Sequence, residues 1–239
     1  MVNPRIYPAE AADPYCLRDG EAERLLAGHP WTRFAVIGDS IAEGLGDPYP
    51  GYPDQPWCDR IAAELTAHQP ALAYLNLGKS MTRSVVVRST QLPGALAFAP
   101  DLALVACGSA DMLLPGYDPA RVERELRAVV SAFAGQGCDV ITVGLFDGSY
   151  AQNIPKLFMA SRHKRIHENA RRTKQVAEDL GALHVELTSH PASKDVDMYS
   201  QDPRHGTMRG HAIAAAETIR VLGAHLTALA AADDRAADD

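Results

Sequence analysis

Residues 33–46 read RFAVIGDSIAEGLG, an apolar run that breaks at Gly38-Asp39-Ser40. The run has the length of a strand and is apolar at most positions, as expected for a strand covered on both faces. Four further runs of this kind follow, at 72–77, 102–107, 139–146 and 182–187. Between the runs lie stretches with helical spacing, at 56–68, 85–98, 118–135, 161–181 and 209–231. The alternation predicts right-handed βαβ units and an α/β fold, with a five-stranded parallel sheet and helices on both faces.

The length and composition favour a single domain. The chain has 239 residues, of which 46% are hydrophobic and 22% charged, which is ordinary for a globular protein. We expect one α/β domain over residues 33–230. Residues 1–32 are predicted to be an irregular extension packed on that domain, and residues 231–239 to be a disordered acidic tail.

Charge and motif content exclude several classes of partner. The formal net charge of −7, with no dense Lys/Arg stripe, argues against nucleic acid and an anionic membrane surface. The first residues lack the pattern of a signal peptide, so a cytoplasmic location is expected. The four cysteines form no Cys-x-x-Cys pair, and no phosphate-cradling glycine loop is present. We therefore expect a small-molecule partner and no cofactor or metal.

Ser40 follows the first predicted strand directly, at the edge of the sheet where ligands bind in such folds. Gly-Asp-Ser is also an ordinary sequence for a turn or a helix cap, so Ser40 has two interpretations. A serine nucleophile needs a base that is oriented by a third group. Asp202 and His205, three residues apart in the last predicted loop, are candidates for that pair, although each alone could belong to a polar turn.

Two segments together resemble a known family. GDSIAEGLG at 38–46 and DPRHGTMRGH at 202–211 are similar to the first and last blocks of the SGNH, or GDSL-type, hydrolases. The resemblance covers about residues 33–225 and implies a three-layer α/β/α, flavodoxin-like fold. It also implies that Ser40 is a nucleophile, His205 its base and Asp202 the group that orients His205. The implied activity is acyl transfer, most simply the hydrolysis of an ester or thioester.

The sequence departs from the family where the oxyanion hole is built. The family's second block has a glycine where this chain has Met81, and Gly78 lies three residues too early. Its third block has an asparagine donor where this chain has Ala110. One such donor is typically worth ~2.7–4 kcal/mol. The Met81 N–H remains a possible donor if the loop keeps its path, because every non-proline residue carries one. The side chains considered as substitutes for the missing donor are Ser80, Thr82 and Ser109.

The departures leave three functions open. The first is an esterase, and the second is an acyltransferase or other biosynthetic enzyme with a modified oxyanion hole. The third is a protein that keeps the fold and binds a ligand without turnover. The presence of Ser40, Asp202 and His205 argues against the third.

Further residues are expected to hold the loops of this site, to form a wall of its pocket or to form a lid. Asp39 and Asp111 flank the site and are expected to hold the loops by hydrogen bonds. The proline-rich stretch 46–57 either forms a rigid surface loop or supplies a pocket wall. The aromatic residues of that stretch proposed for the wall are Tyr49, Tyr52 and Trp57, and the candidate lid residues from 146–163 are Phe158 and Met159.

The remaining titratable candidates are expected to be structural. Cys107 ends an apolar strand and is expected to pack in the core. His163 and His167 are four residues apart on a predicted helix, but the sequence shows no third metal ligand beside them, and they are expected on a solvated face. His211 is expected to pack near the start of the last helix.

Overall fold

The computed structural model describes residues 7–152 and 154–237 and contains one parallel sheet. Its strands are β1 (Arg33–Gly38), β2 (Ala73–Asn76), β3 (Leu102–Ala106), β4 (Asp139–Gly144) and β5 (Leu183–Glu186). The strands lie in the order β2-β1-β3-β4-β5, and all four neighbouring pairs are parallel. The predicted α/β fold is confirmed, and each strand lies within the run that predicted it.

Burial follows the position of a strand in the sheet. Nearly every residue of the three central strands β1, β3 and β4 is buried, whereas the edge strands β2 and β5 are partly exposed. Central strands of a parallel sheet are covered by helices on both faces, which explains their continuous apolar runs. The order reverses direction between β1 and β3, and ligands bind at such a switch point in doubly wound folds.

Alternate residues of the strands serve two hydrophobic cores. Phe34 and Val36 of β1 belong to one core, whereas Ile37 belongs to the other. The first core lies under helices α2 (Glu21–Leu25), α4 (Trp57–His68) and α10 (Met208–Ala237). The second lies under α8 (Pro119–Ala134) and α9 (Lys156–Leu180). The sheet therefore forms the middle of three layers, as predicted. Two short helices at strand ends, α3 (Ser40–Glu43) and α7 (Ser109–Met112), lie at the carboxyl edge.

The predicted helix 85–98 is a composite. It consists of α5 (Ser84–Val86), a π-helical turn (Val87–Gln91) and α6 (Leu92–Ala97). Pro93 lies in the first turn of α6, where a missing N–H costs little. The wide turn carries the buried side chain of Gln91, whose Oε1 accepts a hydrogen bond from Gly38 N (2.8 Å) and whose Nε2 donates one to Gly38 O (2.9 Å). Gln91 therefore holds the backbone two residues before Ser40.

Both ends of the described chain are more regular than predicted. The N-terminal extension contains α1 (Pro8–Ala12) and α2, so the expectation of an irregular segment is wrong there, and its Cys16 and Leu26 are buried. The first six residues lie outside the described part. At the other end, α10 continues to Ala237 through most of the tail expected to be disordered. The tail is rich in alanine and lacks glycine or proline, so nothing in it stops a helix.

Among residues 7–152 and 154–237, one helix is long and apolar enough to span a membrane, by length and composition alone. The Met208–Ala232 stretch of α10 has a mean hydropathy of 1.2, and half of its most apolar window is buried. Its residues Ile213, Ile219 and Leu222 are fully buried in the hydrophobic cores of this fold. This burial is typical of a core helix.

Candidate active site

The carboxyl ends of the strands open into a cavity of about 730 Å³. Segments that follow β1, β3, β4 and β5 all contribute to its walls. Most of its side chains are apolar, among them Leu45, Leu113, Leu145 and Phe158. Loops at the carboxyl edge of the sheet therefore meet around one space, as expected for a ligand site in a parallel α/β fold.

Ser40 lines this cavity as the first residue of α3. No hydrogen bond to Ser40 Oγ occurs within residues 7–152 and 154–237. The first N–H groups of a helix have no partner inside the helix, so the Ser40 N–H is also a potential donor to a ligand. Within the described part of the chain, neither the hydroxyl nor the N–H of Ser40 has a hydrogen-bond partner, so both can bind a ligand at the edge of the sheet.

Asp39 joins the loop that carries Ser40 to the loop after β3. The side chain is fully buried, and its Oδ1 accepts a hydrogen bond from Ile41 N (3.1 Å) as the N-cap of α3. Its Oδ2 accepts hydrogen bonds from Ser109 N (2.9 Å) and Ala110 N (3.2 Å) at the start of α7. Burial raises the pKa of Asp39, although the hydrogen bonds from these donors act to lower it. The carboxylate serves as a clamp between two loops of the site.

Asp111 makes a second connection of this kind. Its Oδ2 accepts a hydrogen bond from Ser84 N (2.7 Å) and its Oδ1 one from the Ser84 hydroxyl (3.2 Å). Asp39 and Asp111 therefore make the loop-holding hydrogen bonds predicted for them, and neither carboxylate lines the cavity.

His205 and Asp202 form a pair in the loop before α10. The distance from His205 Nδ1 to Asp202 Oδ2 is 2.7 Å, and His205 N donates to Asp202 Oδ1 at 3.2 Å. Burial alone would raise the pKa of Asp202, but the hydrogen bonds and charge of His205, together with the Arg204 N–H, hold that pKa below its ordinary value. Both side chains line the cavity that Ser40 lines. The described residues contain no direct hydrogen bond between Ser40 and His205.

Met81 has a backbone conformation that glycine adopts more readily than any other residue. Its φ of 59° lies in the left-handed region, and the residue lines the cavity. The loop thus follows the path for which glycine is favoured. Gly78 does not substitute for it, because Gly78 is outside the cavity lining. An added Cβ at Gly78 would lie 2.4 Å from Glu43 N, so this glycine allows the loop to pack on α3.

Replacing Met81 with glycine is expected to stabilise the fold by about 1 kcal/mol, because it removes the steric cost of a left-handed non-glycine residue. For a chain of this size, thermal denaturation should show a rise in Tm of about 2–4 °C. Met81→Ala is the matched control, since it removes the same side chain and retains the strained backbone. Equal Tm values for the two variants would contradict this account of Met81.

Ala110 lines the cavity as the second residue of α7 but offers no side-chain donor, and its N–H is bound to Asp39. Of the three hydroxyl groups predicted as substitutes, those of Ser80 and Ser109 belong to lining residues. Thr82 is absent from the lining, so that assignment is wrong. The Ser109 hydroxyl also interacts with the Asp39 carboxylate.

The proline-rich loop contributes one aromatic wall residue. Trp57 lines the cavity, and its Nε1 donates to Ile41 O at 2.7 Å. The prediction for Tyr49 and Tyr52 is wrong, because neither lines the cavity. Their rings pack edge to face, 5.5 Å apart, in a separate core beside the N-terminal extension. The Tyr52 hydroxyl donates to Asp13 in that extension.

The predicted lid contributes one residue to the cavity. Phe158 lines it from α9 and is exposed, whereas Met159 is not a lining residue. Cys107 is not a lining residue either, and burial raises the pKa of its thiol, in agreement with a core position. His211 lines the cavity and connects two loops: its Nδ1 accepts from Trp57 N (3.1 Å), and its Nε2 lies 3.2 Å from Leu45 O. Burial lowers the pKa of His211 to about 4.

The expectation that His163 and His167 lack a third ligand is wrong. The Asp147 carboxylate lies between them, 2.6 Å from His163 Nδ1 and 3.0 Å from His167 Nε2. Asp147 follows β4 in a loop, and no helical spacing connects it with the two histidines. Sequence reasoning also missed Arg162, which lines the cavity from α9.

Comparison with known proteins agrees with this architecture. A family model described as the GDSL-like lipase/acylhydrolase family matches residues 36–213. No curated protein matches the chain. Among solved structures, LAE5, an alpha/beta hydrolase enzyme from the metagenome of Lake Arreo, Spain, is 20% identical with a TM-score of 0.64. That match covers 82% of this chain and 96% of LAE5.

Two further structures share the fold. A variant of Axe2, an acetyl-xylooligosaccharide esterase from Geobacillus Stearmophilus, is 22% identical with a TM-score of 0.64, covering 82% of this chain and 95% of Axe2. TesA is 21% identical with a TM-score of 0.61, covering 80% of this chain and 97% of TesA. At these identities the structures establish the common fold, and the family model covers most of the chain. The chain therefore belongs to the GDSL-like lipase/acylhydrolase family.

Proposed function

We propose that this protein hydrolyses an ester or thioester of a small molecule, with Ser40 as nucleophile, His205 as base and Asp202 as the group that orients His205. The observation that carries the proposal is the convergence of Ser40 and the hydrogen-bonded Asp202–His205 pair on one apolar cavity. Membership of a hydrolase family supports the same reaction class.

The hydrogen bond to Asp202 assigns a role to each nitrogen of His205. With its proton on Nδ1, which faces the carboxylate, the imidazole has a basic Nε2 available for Ser40. His205 takes the hydroxyl proton as Ser40 Oγ attacks the carbonyl carbon, and the imidazolium is stabilised by Asp202. The same proton then passes to the leaving alcohol or thiol. Water activated by His205 releases the acid and regenerates Ser40.

The developing oxyanion needs donors that are in place before the reaction. We assign the N–H groups of Ser40 and Met81 to this role, because both residues line the cavity and each offers a backbone donor. The left-handed conformation of Met81 supports the assignment, since it retains the loop path of a glycine.

Replacing His205 with alanine tests the proposed function. We expect the parent enzyme to hydrolyse p-nitrophenyl esters and His205→Ala to lose at least ~10³-fold in kcat/KM, because Ser40 loses its base. His68→Ala is a matched control at the end of α4, outside the cavity, and should retain the parental rate. Equal rates for the parent and His205→Ala would exclude this mechanism.

Transfer of the acyl group to a second substrate is the other candidate function. Ala110 favours it, because the cavity lacks the side-chain donor that family members use for simple hydrolysis. Ala110→Asn distinguishes the two. A large increase in ester hydrolysis would indicate that the natural reaction does not depend on that donor and would favour transfer. An unchanged rate would favour a hydrolase in which another group, such as the Ser80 or Ser109 hydroxyl, replaces it.

A further inference from the structure

A His-His-Asp cluster lies on α9 and the loop after β4. It consists of Asp147, His163 and His167, and one ligand atom from each lies within 4.8 Å of the other two. Both imidazoles approach the same oxygen, Asp147 Oδ2, at 2.6 and 3.0 Å. Their ring centroids are 4.0 Å apart, as expected for residues at i and i+4 of a helix. Three atoms of types that bind metal ions, two imidazole nitrogens and one carboxylate oxygen, therefore lie next to one another.

The carboxylate of the cluster is rigidly held. Its Oδ1 accepts a hydrogen bond from Ser149 N (3.1 Å), which leaves Oδ2 to the two histidines. The Asp147 N–H donates to Ser193 Oγ (3.3 Å), and its carbonyl accepts from the Tyr199 hydroxyl (2.8 Å). Supporting hydrogen bonds of this kind fix the ligands of metal sites. The anchoring of Asp147 is independent of the two histidines.

Exposure of the cluster is unequal. The Asp147 side chain is 2% exposed, whereas those of His163 and His167 are 50% and 43% exposed. An ion bound to Oδ2 would contact protein on one side and water on the other. Three protein ligands with an open fourth position are typical of a zinc site that can exchange its water.

A zinc ion would fit between the three ligand atoms after a small outward movement of the two histidine side chains. Tetrahedral ligands at ~2.0–2.2 Å from a zinc ion lie roughly 3.3–3.5 Å from one another. The histidine nitrogens lie 2.6 and 3.0 Å from Oδ2, so each must move outward by less than 1 Å. Partly exposed imidazoles can make this movement by side-chain rotation. Nitrogen and carboxylate ligands suit zinc better than calcium or magnesium, which prefer oxygen ligands only.

We propose that Asp147, His163 and His167 form a binding site for a divalent transition-metal ion of the zinc class. The ion would connect the loop after β4 to α9, the helix that supplies Phe158 to the cavity wall. The site is separate from Ser40 and His205, and none of its three residues lines the cavity.

Calorimetric titration with Zn²⁺ alone tests this site. The chain should carry no polyhistidine tag and should be treated with a chelator first. One Zn²⁺ is expected per chain, and His163→Ala and His167→Ala should each weaken binding by at least roughly tenfold, which is the usual loss for supporting residues alone. His68→Ala is the matched control. Asp147→Asn, which keeps the size of the side chain, should weaken binding similarly.

Absorption of bound Co²⁺ gives an independent measurement. The parent should show the visible bands of a four-coordinate ion, and His163→Ala should lose them. The proposal is overturned by an absence of Zn²⁺ binding or by equal affinities in the parent and both histidine variants. If His68→Ala lost as much Zn²⁺ affinity as the two cluster variants, the binding would be nonspecific and the proposal would also be overturned.

A different observation concerns the charge of the catalytic cavity. Three arginines line it: Arg162, Arg165 and Arg204. Asp202 is the single carboxylate among the described lining residues, and it is hydrogen-bonded to His205. None of the three arginines forms a salt bridge with any residue of the described chain. Asp147 and Asp202 attract the Arg162 charge from a distance, but no carboxylate of the described residues forms a salt bridge with these three arginines.

Arg162 combines one hydrogen bond to the protein with one buried donor that has no partner among the described residues. Its Nη2 donates to Pro203 O at 2.5 Å, beside the Asp202–His205 pair. Its Nε is buried and has no hydrogen-bond partner in the described part of the chain. Burial lowers the pKa of Arg162, although a guanidinium remains charged in proteins. A desolvated cation with an unused donor is costly unless a ligand supplies the missing anion.

The geometry points to a substrate that carries an anionic oxygen group, a carboxylate or a phosphate, in addition to its ester bond. Guanidinium groups match the shape of both anions. This inference rests on the proposed function, because it places the anion in the cavity of Ser40. A neutral acyl chain would fill the apolar part of the cavity and leave Arg162 unpaired.

Binding to Ser40→Ala protein, which is not expected to turn over, tests the inference by calorimetry. The probes are ethyl butyrate, monoethyl succinate and ethyl 3-phosphonopropanoate. One of the charged probes should bind roughly tenfold or more tightly than the neutral ester, which is the usual worth of a charged hydrogen bond. Arg162→Gln should remove that difference. Arg171→Gln, in which an exposed arginine paired with Glu168 is changed on the same helix, should not.

The probe that binds more tightly identifies the anion as carboxylate or phosphonate. Equal affinities for all three probes, or a preference that survives Arg162→Gln, would overturn the inference. Because these measurements need no turnover, an absence of ester hydrolysis in the parent would count against the proposed function and leave the binding result valid.

Discussion

Replacing Ser40 with alanine is expected to lower kcat/KM for ester hydrolysis by about 10⁴–10⁶-fold, the range found when a serine nucleophile is removed from a triad. The loss follows from the proposed covalent step, in which Ser40 Oγ forms the acyl-enzyme. Ser40 lines the cavity with no hydrogen-bond partner for its hydroxyl among the described residues, so its loss should leave no broken contact. The fold should therefore remain intact.

Steady-state kinetics with p-nitrophenyl acetate and butyrate provide the measurement, and Tm shows whether the variant is folded. Ser161→Ala is the matched control, because Ser161 lines the same cavity from α9. It should retain most of the activity. A Ser40→Ala protein as active as the Ser161→Ala protein would show that Ser40 is not the nucleophile.

The second large effect is expected from Asp39→Ala, which should destabilise the fold by about 3 kcal/mol. The substitution leaves the buried N–H of Ala110 and the partly buried N–H groups of Ile41 and Ser109 without their acceptor, and an unsatisfied buried donor costs ~1–3 kcal/mol. Relief of the desolvated carboxylate offsets part of that sum, since burial raises the pKa of Asp39. Activity should fall as well, because Ser40 follows Asp39 directly.

Chemical denaturation of parent and variant gives the free energy of unfolding. Asp111→Ala is the comparison, since that carboxylate accepts two hydrogen bonds, both from Ser84, and lies in a less buried position. It should cost about 1 kcal/mol. An Asp39→Ala variant as stable as Asp111→Ala would refute the role of Asp39 as a clamp between loops.

The fold could be predicted closely because a strand that is buried on both faces has a continuous apolar sequence. Runs such as 33–38 and 102–107 are apolar at almost every position, and they became β1 and β3. The order of the strands has no such trace, because it depends on which loops cross over which strands. The composite helix between Ser84 and Ala97 could not be predicted from sequence either, since a π-helical turn arises from packing rather than from a local pattern.

Parts of the site that depend on local motifs were found in sequence, and parts that depend on tertiary packing were missed. Ser40 and the Asp202–His205 pair were located by their blocks. In the sequence, Gln91 has the character of an exposed helix residue, whereas in the structure its side-chain amide is hydrogen-bonded to the backbone of Gly38. Tyr49 was misplaced because sequence does not tell which face of a proline-rich loop is covered by the N-terminal extension.

Covalent labelling can show whether Ser40 is a nucleophile that His205 activates. A fluorophosphonate reacts with an activated serine, and peptide mass spectrometry identifies the modified residue. We expect one label per chain, on Ser40, at a rate that falls by at least ~10³-fold in His205→Ala. Labelling of another residue, or labelling of Ser40 at the same rate in His205→Ala, would show that Ser40 is not a nucleophile activated by His205.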